Sequence, residues 1–189
     1  MTRRGPQHQS LSLTCRFVRV ALAALALALL VSSAAASAPT GQLARVDHVA
    51  DGDTIDLTNG HRVRLVQIDT PEVYFTAECY GRQAAAITKR LLPAGTLVRL
   101  SAEPATDRVD QYGRLLRYVT RVRDGLNVNI RLVSVGAAAP YFYDGRRGRY
   151  AQLLERLARH ARAHHLGLWS RCPSTPYDPV RRVATGPAN

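Results

Sequence analysis

Asp51-Gly52-Asp53-Thr54-Ile55-Asp56-Leu57-Thr58-Asn59-Gly60-His61-Arg62-Val63-Arg64-Leu65-Val66-Gln67-Ile68-Asp69 is the stretch on which the fold turns. Asn59-Gly60 supports the positive φ angles of a tight hairpin and lies between two β-forming runs, 55–57 and 63–68. Asp51-Gly52-Asp53 breaks the preceding apolar run from Leu43 in a similar way. Three short strands are therefore expected before residue 70. Val63 and Leu65, with Val66 or Ile68, form a buried face.

Further along, residues 80–92 place Ala84, Ile87 and Leu91 on one helical face, and Pro93-Ala94-Gly95 stops that helix. Strands follow at 96–100 and 115–122. Asn127 is an N-cap for a helix over 128–135, ended by Gly136. After Gly148, Leu153, Leu154, Leu157, Ala158 and Ala161 recur at helical spacing. Trp169 belongs to the core. Three strands, a helix, two strands and two helices suit a small closed barrel of the oligonucleotide-binding type, a simple α+β sheet being the alternative.

The 189 residues carry a net charge of +12, with 26 basic and 14 acidic residues. Four arginines and no acids fall in the first 38 residues, so the remainder carries 26 − 4 − 14 = +8. Such a domain favours polyanions. Arg3, Arg4, Arg16 and Arg19 precede an apolar run at 20–31, and Ala-x-Ala patterns end near Ala38; this order reads as an export signal over residues 1–38. A domain is expected over 39–173 and a disordered tail over 174–189, where Pro, Gly, Thr and Arg dominate. Secretion or exposure at the cell envelope follows, with no stable membrane partner once the signal is removed. Signal removal also takes away Cys15. It leaves Cys79 and Cys172, which pair in an oxidising compartment or remain as two buried thiols.

Asp51, Asp53, Asp69 and Glu72 gather at strand ends. Converging carboxylates repel unless a cation or proton intervenes, and hard oxygen donors suit Ca²⁺ or Mg²⁺. Asp-Gly-Asp-Thr is also an ordinary turn sequence. Arg64 and Arg114 add guanidiniums. Phosphodiester hydrolysis needs charge neutralisation, a positioned water and a stabilised leaving oxygen, which these residue types supply together.

Asp51-Gly52-Asp53-Thr54, Arg64 to Glu72 with Asp69-Thr70-Pro71, and Asp110-Gln111-Tyr112-Gly113-Arg114 together resemble the motif set of the staphylococcal nuclease-like thermonuclease family. Tyr80-Gly81, Val128-Asn129 and Gly167-Leu168-Trp169 extend the likeness across about residues 42–172. The resemblance implies a five-stranded OB-fold barrel with three α-helices. It implies Ca²⁺ held by Asp53, Asp69 and the Thr70 carbonyl, with Asp51 in support. Glu72 would activate water, and Arg64 and Arg114 would grip the phosphate. Tyr112, Tyr141 and Tyr143 would contact nucleotides, although half-buried packing is an equal reading of Tyr141. A Cys79–Cys172 bridge fits secreted relatives. The implied activity is cleavage of DNA and RNA by a monomer, single strands preferred, giving 3′-phosphate ends. Gln111 departs from the pattern, standing where a phosphate-contacting lysine is common. A non-catalytic nucleic-acid-binding barrel is the alternative.

Overall fold

The computed structural model describes Met1, residues 41–74 and residues 77–188. The expected signal at 1–38 therefore lies, apart from Met1, outside the described residues.

Five strands close a barrel in the order β1-β2-β3-β6-β5. They are β1 (Gln42–Val49), β2 (Thr54–Leu57), β3 (Arg62–Leu65), β5 (Leu97–Ser101) and β6 (Leu115–Arg121). β3 and β6 run parallel and the other pairs antiparallel. Closure depends on β1, whose first half pairs with β5 and whose second half pairs with β2. The register shifts between Val46 and His48. A bulge of this kind bends a strand and lets one strand serve both neighbours, so that no edge is left open. Val46, Ile55, Val63, Leu65, Val98, Leu100 and Val119 fill the interior and are almost wholly buried.

Three helices pack on this barrel. α1 (Gly81–Leu91) buries Ala84, Ala85 and Thr88. α2 (Val128–Ser134) begins at Asn127, whose side chain accepts the Ile130 N–H, as the sequence predicts. α3 (Ala151–Ala163) buries Leu154, Ala158 and Ala161. A single turn, α4 (Leu168–Arg171), carries the buried Trp169. Asn129 of α2 is fully buried beside β6, accepting the Val119 N–H at 3.0 Å and donating to the Val66 carbonyl at 2.9 Å. It thereby supplies partners where β3 leaves the barrel, a place where unpaired backbone groups would be costly.

Two differences from the sequence reading bear on the site. The strand expected over 63–68 is broken: Gln67 has φ 67°, and β4 (Ile68–Asp69) pairs instead with β7 (Ala139–Pro140). The Gln67 side chain donates to the Arg146 carbonyl and accepts the Gly148 N–H, which holds the turn. The second difference is the tail. The sequence after Pro173 reads as disordered, yet the segment is held by hydrogen bonds to Asp69, Ala77, Cys79 and Phe142, with Thr175, Val183 and Thr185 buried. The Cys79–Cys172 disulfide, with Cα atoms 6.1 Å apart, roots this segment.

Candidate active site

The turn at Gln67 brings Asp69 back towards the start of β2. Arg64, opposite Thr54 in the β2–β3 pairing, reaches between Asp53 and Asp69. Its Nη1 lies 3.0 Å from Asp53 Oδ2 and its Nη2 lies 2.5 Å from Asp69 Oδ1. Nη1 also donates to the carbonyls of Leu65 and Ile68. Asp53 Oδ2 accepts from the Thr70 N–H at 2.8 Å and the Thr70 hydroxyl at 3.0 Å. Asp69 Oδ2 accepts the Val183 N–H of the tail at 2.9 Å. Asp53, Arg64, Asp69 and Thr70 are all buried, so this is a saturated, low-dielectric network.

Close backbone approach makes the network possible. A Cβ on Gly52 would lie 2.5 Å from the Thr70 hydroxyl oxygen, so only glycine lets the Asp51–Asp53 turn meet Thr70. The Gly52 carbonyl accepts the Thr88 hydroxyl of α1 at 2.6 Å, fixing the turn to the helix. Asp51 Oδ1 accepts the Asp53 N–H at 3.0 Å, so Asp51 supports the turn.

Burial pushes the carboxyls of Asp53 and Asp69 above their ordinary range, and the Arg64 charge opposes that only in part. Asp51 is raised by burial first and by the Asp53 charge second. Burial also works against the Arg64 charge, but Asp53 and Asp69 outweigh it and hold the guanidinium pKa up. Arg64 already sits between the two carboxylates, so a hard cation would have to displace it from a carboxylate oxygen to bind here. Among the described residues no three His, Cys, Asp or Glu side chains form a ready cage. A cation here would take two carboxylates and complete its shell with backbone oxygen and water.

Glu72 sits at the mouth with its side chain 49% exposed, and its Oε1 is 3.1 Å from Arg182 Nη1 of the tail. Its backbone is fixed, since its carbonyl accepts the Glu78 N–H and a Cβ on Gly81 would lie 2.3 Å from that carbonyl oxygen. Arg114 follows a turn in which Asp110 Oδ1 accepts the N–H groups of Tyr112 and Arg114. Asp110 Oδ2 accepts Arg114 Nε at 2.7 Å, and the guanidinium carbon lies 5.3 Å from the Tyr112 ring centroid. Burial raises the Asp110 carboxyl, but the hydrogen bonds and charge from Arg114 win and hold it below its ordinary value.

These residues line two adjoining clefts. One, of about 430 Å³, is bounded by Asp51, Asp53, Arg64, Thr70, Glu72 and Arg114. The other, of about 490 Å³, is bounded in part by Gln67, Gln111, Tyr141, Tyr143 and Arg146. Arg64, Tyr112, Arg114 and Arg182 line both. Tyr112 and Tyr143 are exposed at 71% and 59%, Tyr141 is half-buried, and the Tyr141 and Tyr143 rings meet edge to face at 6.4 Å. Asp69 lies behind the clefts, joined to them through Arg64. The site residues read from the sequence are thus brought together, and Arg64 lies between two of them. Arg182 was missed: it stands in a segment without hydrophobic period or motif. Asp110 lay inside a quoted motif, and its pairing with Arg114 at i, i+4 was there to be read.

A sequence model of the family described as staphylococcal nuclease homologue matches residues 62–171. An uncharacterized endonuclease of Escherichia coli O157:H7 is 36% identical over 135 residues, 70% of this chain and 80% of that protein. A micrococcal nuclease of Shigella flexneri is 35% identical over 168 residues, 81% of this chain and 89% of that one. The SPbeta prophage-derived endonuclease YokF of Bacillus subtilis (strain 168) is 35% identical over 132 residues, 67% of this chain. The matched region spans only 43% of that B. subtilis protein. By the family match and these identities, the chain belongs to the family of staphylococcal nuclease homologues.

Proposed function

We propose that this chain is an endonuclease that hydrolyses phosphodiester bonds of DNA and RNA, prefers single strands, uses Ca²⁺ and leaves 3′-phosphate ends. One observation carries the reading: Glu72, Arg64 and Arg114 line a single cleft with Asp53 and Thr70, and that cleft adjoins one lined by tyrosines. Names of relatives as endonucleases and as a micrococcal nuclease support the reaction class.

In this reading Glu72 takes a proton from water at the open mouth. The water oxygen bonds to phosphorus, the bond from phosphorus to the 5′ oxygen breaks, that oxygen takes a proton from solvent, and Glu72 returns its proton to solvent. Arg114, held on its Nε edge by Asp110, stabilises charge on the phosphoryl oxygens. Arg64 holds the floor of the cleft and keeps the two aspartates converged. Asp53, Asp69 and the Thr70 carbonyl would hold Ca²⁺, which would compete with Arg64 for the carboxylate oxygens and add positive charge beside the phosphate. Tyr112 and Tyr143 offer exposed faces on which bases stack without regard to sequence.

Export fits the residue pattern before Pro39, and the Cys79–Cys172 disulfide fits an oxidising compartment. The test is digestion of single-stranded DNA and RNA with and without a calcium chelator, using the wild-type protein and Glu72→Gln. Cleavage that stops with the chelator, falls by orders of magnitude in the variant and leaves phosphatase-sensitive 3′ ends is expected. Binding without cleavage in the wild type, calcium present, would reject the enzymatic reading.

A further inference from the structure

Arg182 belongs to no motif, yet it reaches the centre of the site from the tail. The backbone on its C-terminal side is pinned. Val183 is 6% exposed in a small cluster with Ala139, Ala161, Leu168 and Trp169, and its N–H is bound by Asp69. Two residues on, the Thr185 hydroxyl donates to the Cys79 carbonyl at 2.7 Å. The Gly186 carbonyl accepts the Cys79 N–H and the Ala188 N–H donates to the Ala77 carbonyl, both at 2.8 Å. On the other side the Pro179 carbonyl accepts the Phe142 N–H. Arg182 is therefore a long, 54% exposed side chain on a fixed backbone, at the junction of the acidic and tyrosine-lined clefts.

Its contact in the structure is Glu72, itself half exposed. An ion pair so wetted contributes little, so a better anion can take the guanidinium at small cost. A phosphodiester is such an anion: it offers two oxygens to a planar fork, and in a nucleic acid it recurs along the strand. We propose that Arg182 is a substrate-positioning residue, a third guanidinium of the site, which binds a backbone phosphate of the nucleic acid where the two clefts meet and leaves Glu72 as it does so. This rests on the nuclease reading for its substrate but makes its own claim about binding.

The experiment measures cleavage of a single-stranded DNA oligonucleotide by the wild type, Arg182→Ala and Arg182→Lys, in calcium, across a series of salt concentrations. Fluorescence anisotropy gives the binding of the same oligonucleotide. Losing one phosphate contact is expected to raise KM about tenfold, with a smaller change in kcat. The slope of log affinity against log salt should become shallower by about 0.7 in Arg182→Ala and hold in Arg182→Lys. An unchanged salt slope in Arg182→Ala overturns the proposal, whether or not the melting temperature falls; that result would mark a structural latch. Tighter binding or faster cleavage in Arg182→Ala overturns it too, marking an arginine that obstructs the site. If the wild type binds but does not cleave, the nuclease reading fails, and the anisotropy slopes still decide on Arg182.

Discussion

Replacing Cys79 and Cys172 together by alanine removes the one covalent link between the segment that leads into α1 and the root of the tail. The bridge spans 93 residues. For a closed loop of that length the chain-entropy expression gives about 15.6 cal/mol/K, or ~4.6 kcal/mol at 25 °C, acting on the unfolded chain. With a urea slope of ~2 kcal/mol/M for a domain of this size, the unfolding midpoint should fall by about 2 M. Trp169 is the only tryptophan, is 5% exposed and lies three residues from Cys172, with its ring 6.0 Å from Tyr177. Its fluorescence therefore reports unfolding of the region that the bridge ties down. The urea slope should also rise, because an unbridged denatured chain exposes more surface. A midpoint shift below about 0.5 M with an unchanged slope would refute the reasoning.

Two more consequences concern the acidic site. Asp51 has a carboxyl raised above 3.8 by burial and by the Asp53 charge, so its stability contribution is full below about pH 3.8 and is lost as pH rises through the raised value. Asp51→Asn keeps an Oδ1 acceptor for the Asp53 N–H; it should raise the melting temperature at pH 7 and leave it unchanged near pH 3.5, as melting curves at the two values would show. Lower stability of the variant at pH 7 would contradict the burial argument. Arg114→Ala should lower kcat by about 10²–10⁴-fold while changing oligonucleotide affinity much less, as single-turnover kinetics would show.

Much of the barrel was legible because its signals are local. Asn59-Gly60 sets a turn by its own backbone preferences, Pro93-Ala94-Gly95 ends a helix, and Asn127 caps another with a bond only three residues long. Counting outward from a two-residue Asn59-Gly60 loop puts Arg64 opposite Ile55, one residue away from its observed partner Thr54. The turn at Gln67 was not legible. Val66-Gln67-Ile68 alternates like a strand, and its left-handed backbone is held by contacts to Arg146 and Gly148, 79 and 81 residues away. That turn, more than the hairpin, delivers Asp69 to Arg64.

The tail shows the same limit and a way around it. Composition places residues after Pro173 among sequences too poor in apolar surface to order themselves. The disulfide changes the closure that must be made. Gly186 docks on Cys79, 107 residues earlier in sequence, but Cys79 is bonded to Cys172, which stands only 14 residues before Gly186. Shortening the effective loop from 107 to 14 residues lowers the closure cost by (3/2)RT ln(107/14), about 1.8 kcal/mol. That is comparable to burying one Val183-sized side chain, at ~1.5–3 kcal/mol. A weakly apolar segment with a single buried valine and a few backbone hydrogen bonds can therefore dock on the site when its root is already tied there. With Arg182 in its proposed role, the bridge would bear on substrate binding as well as on stability. Reducing it should loosen Val183 from Asp69 and Arg182 from the cleft before the barrel opens, because the barrel's own strands share none of those contacts.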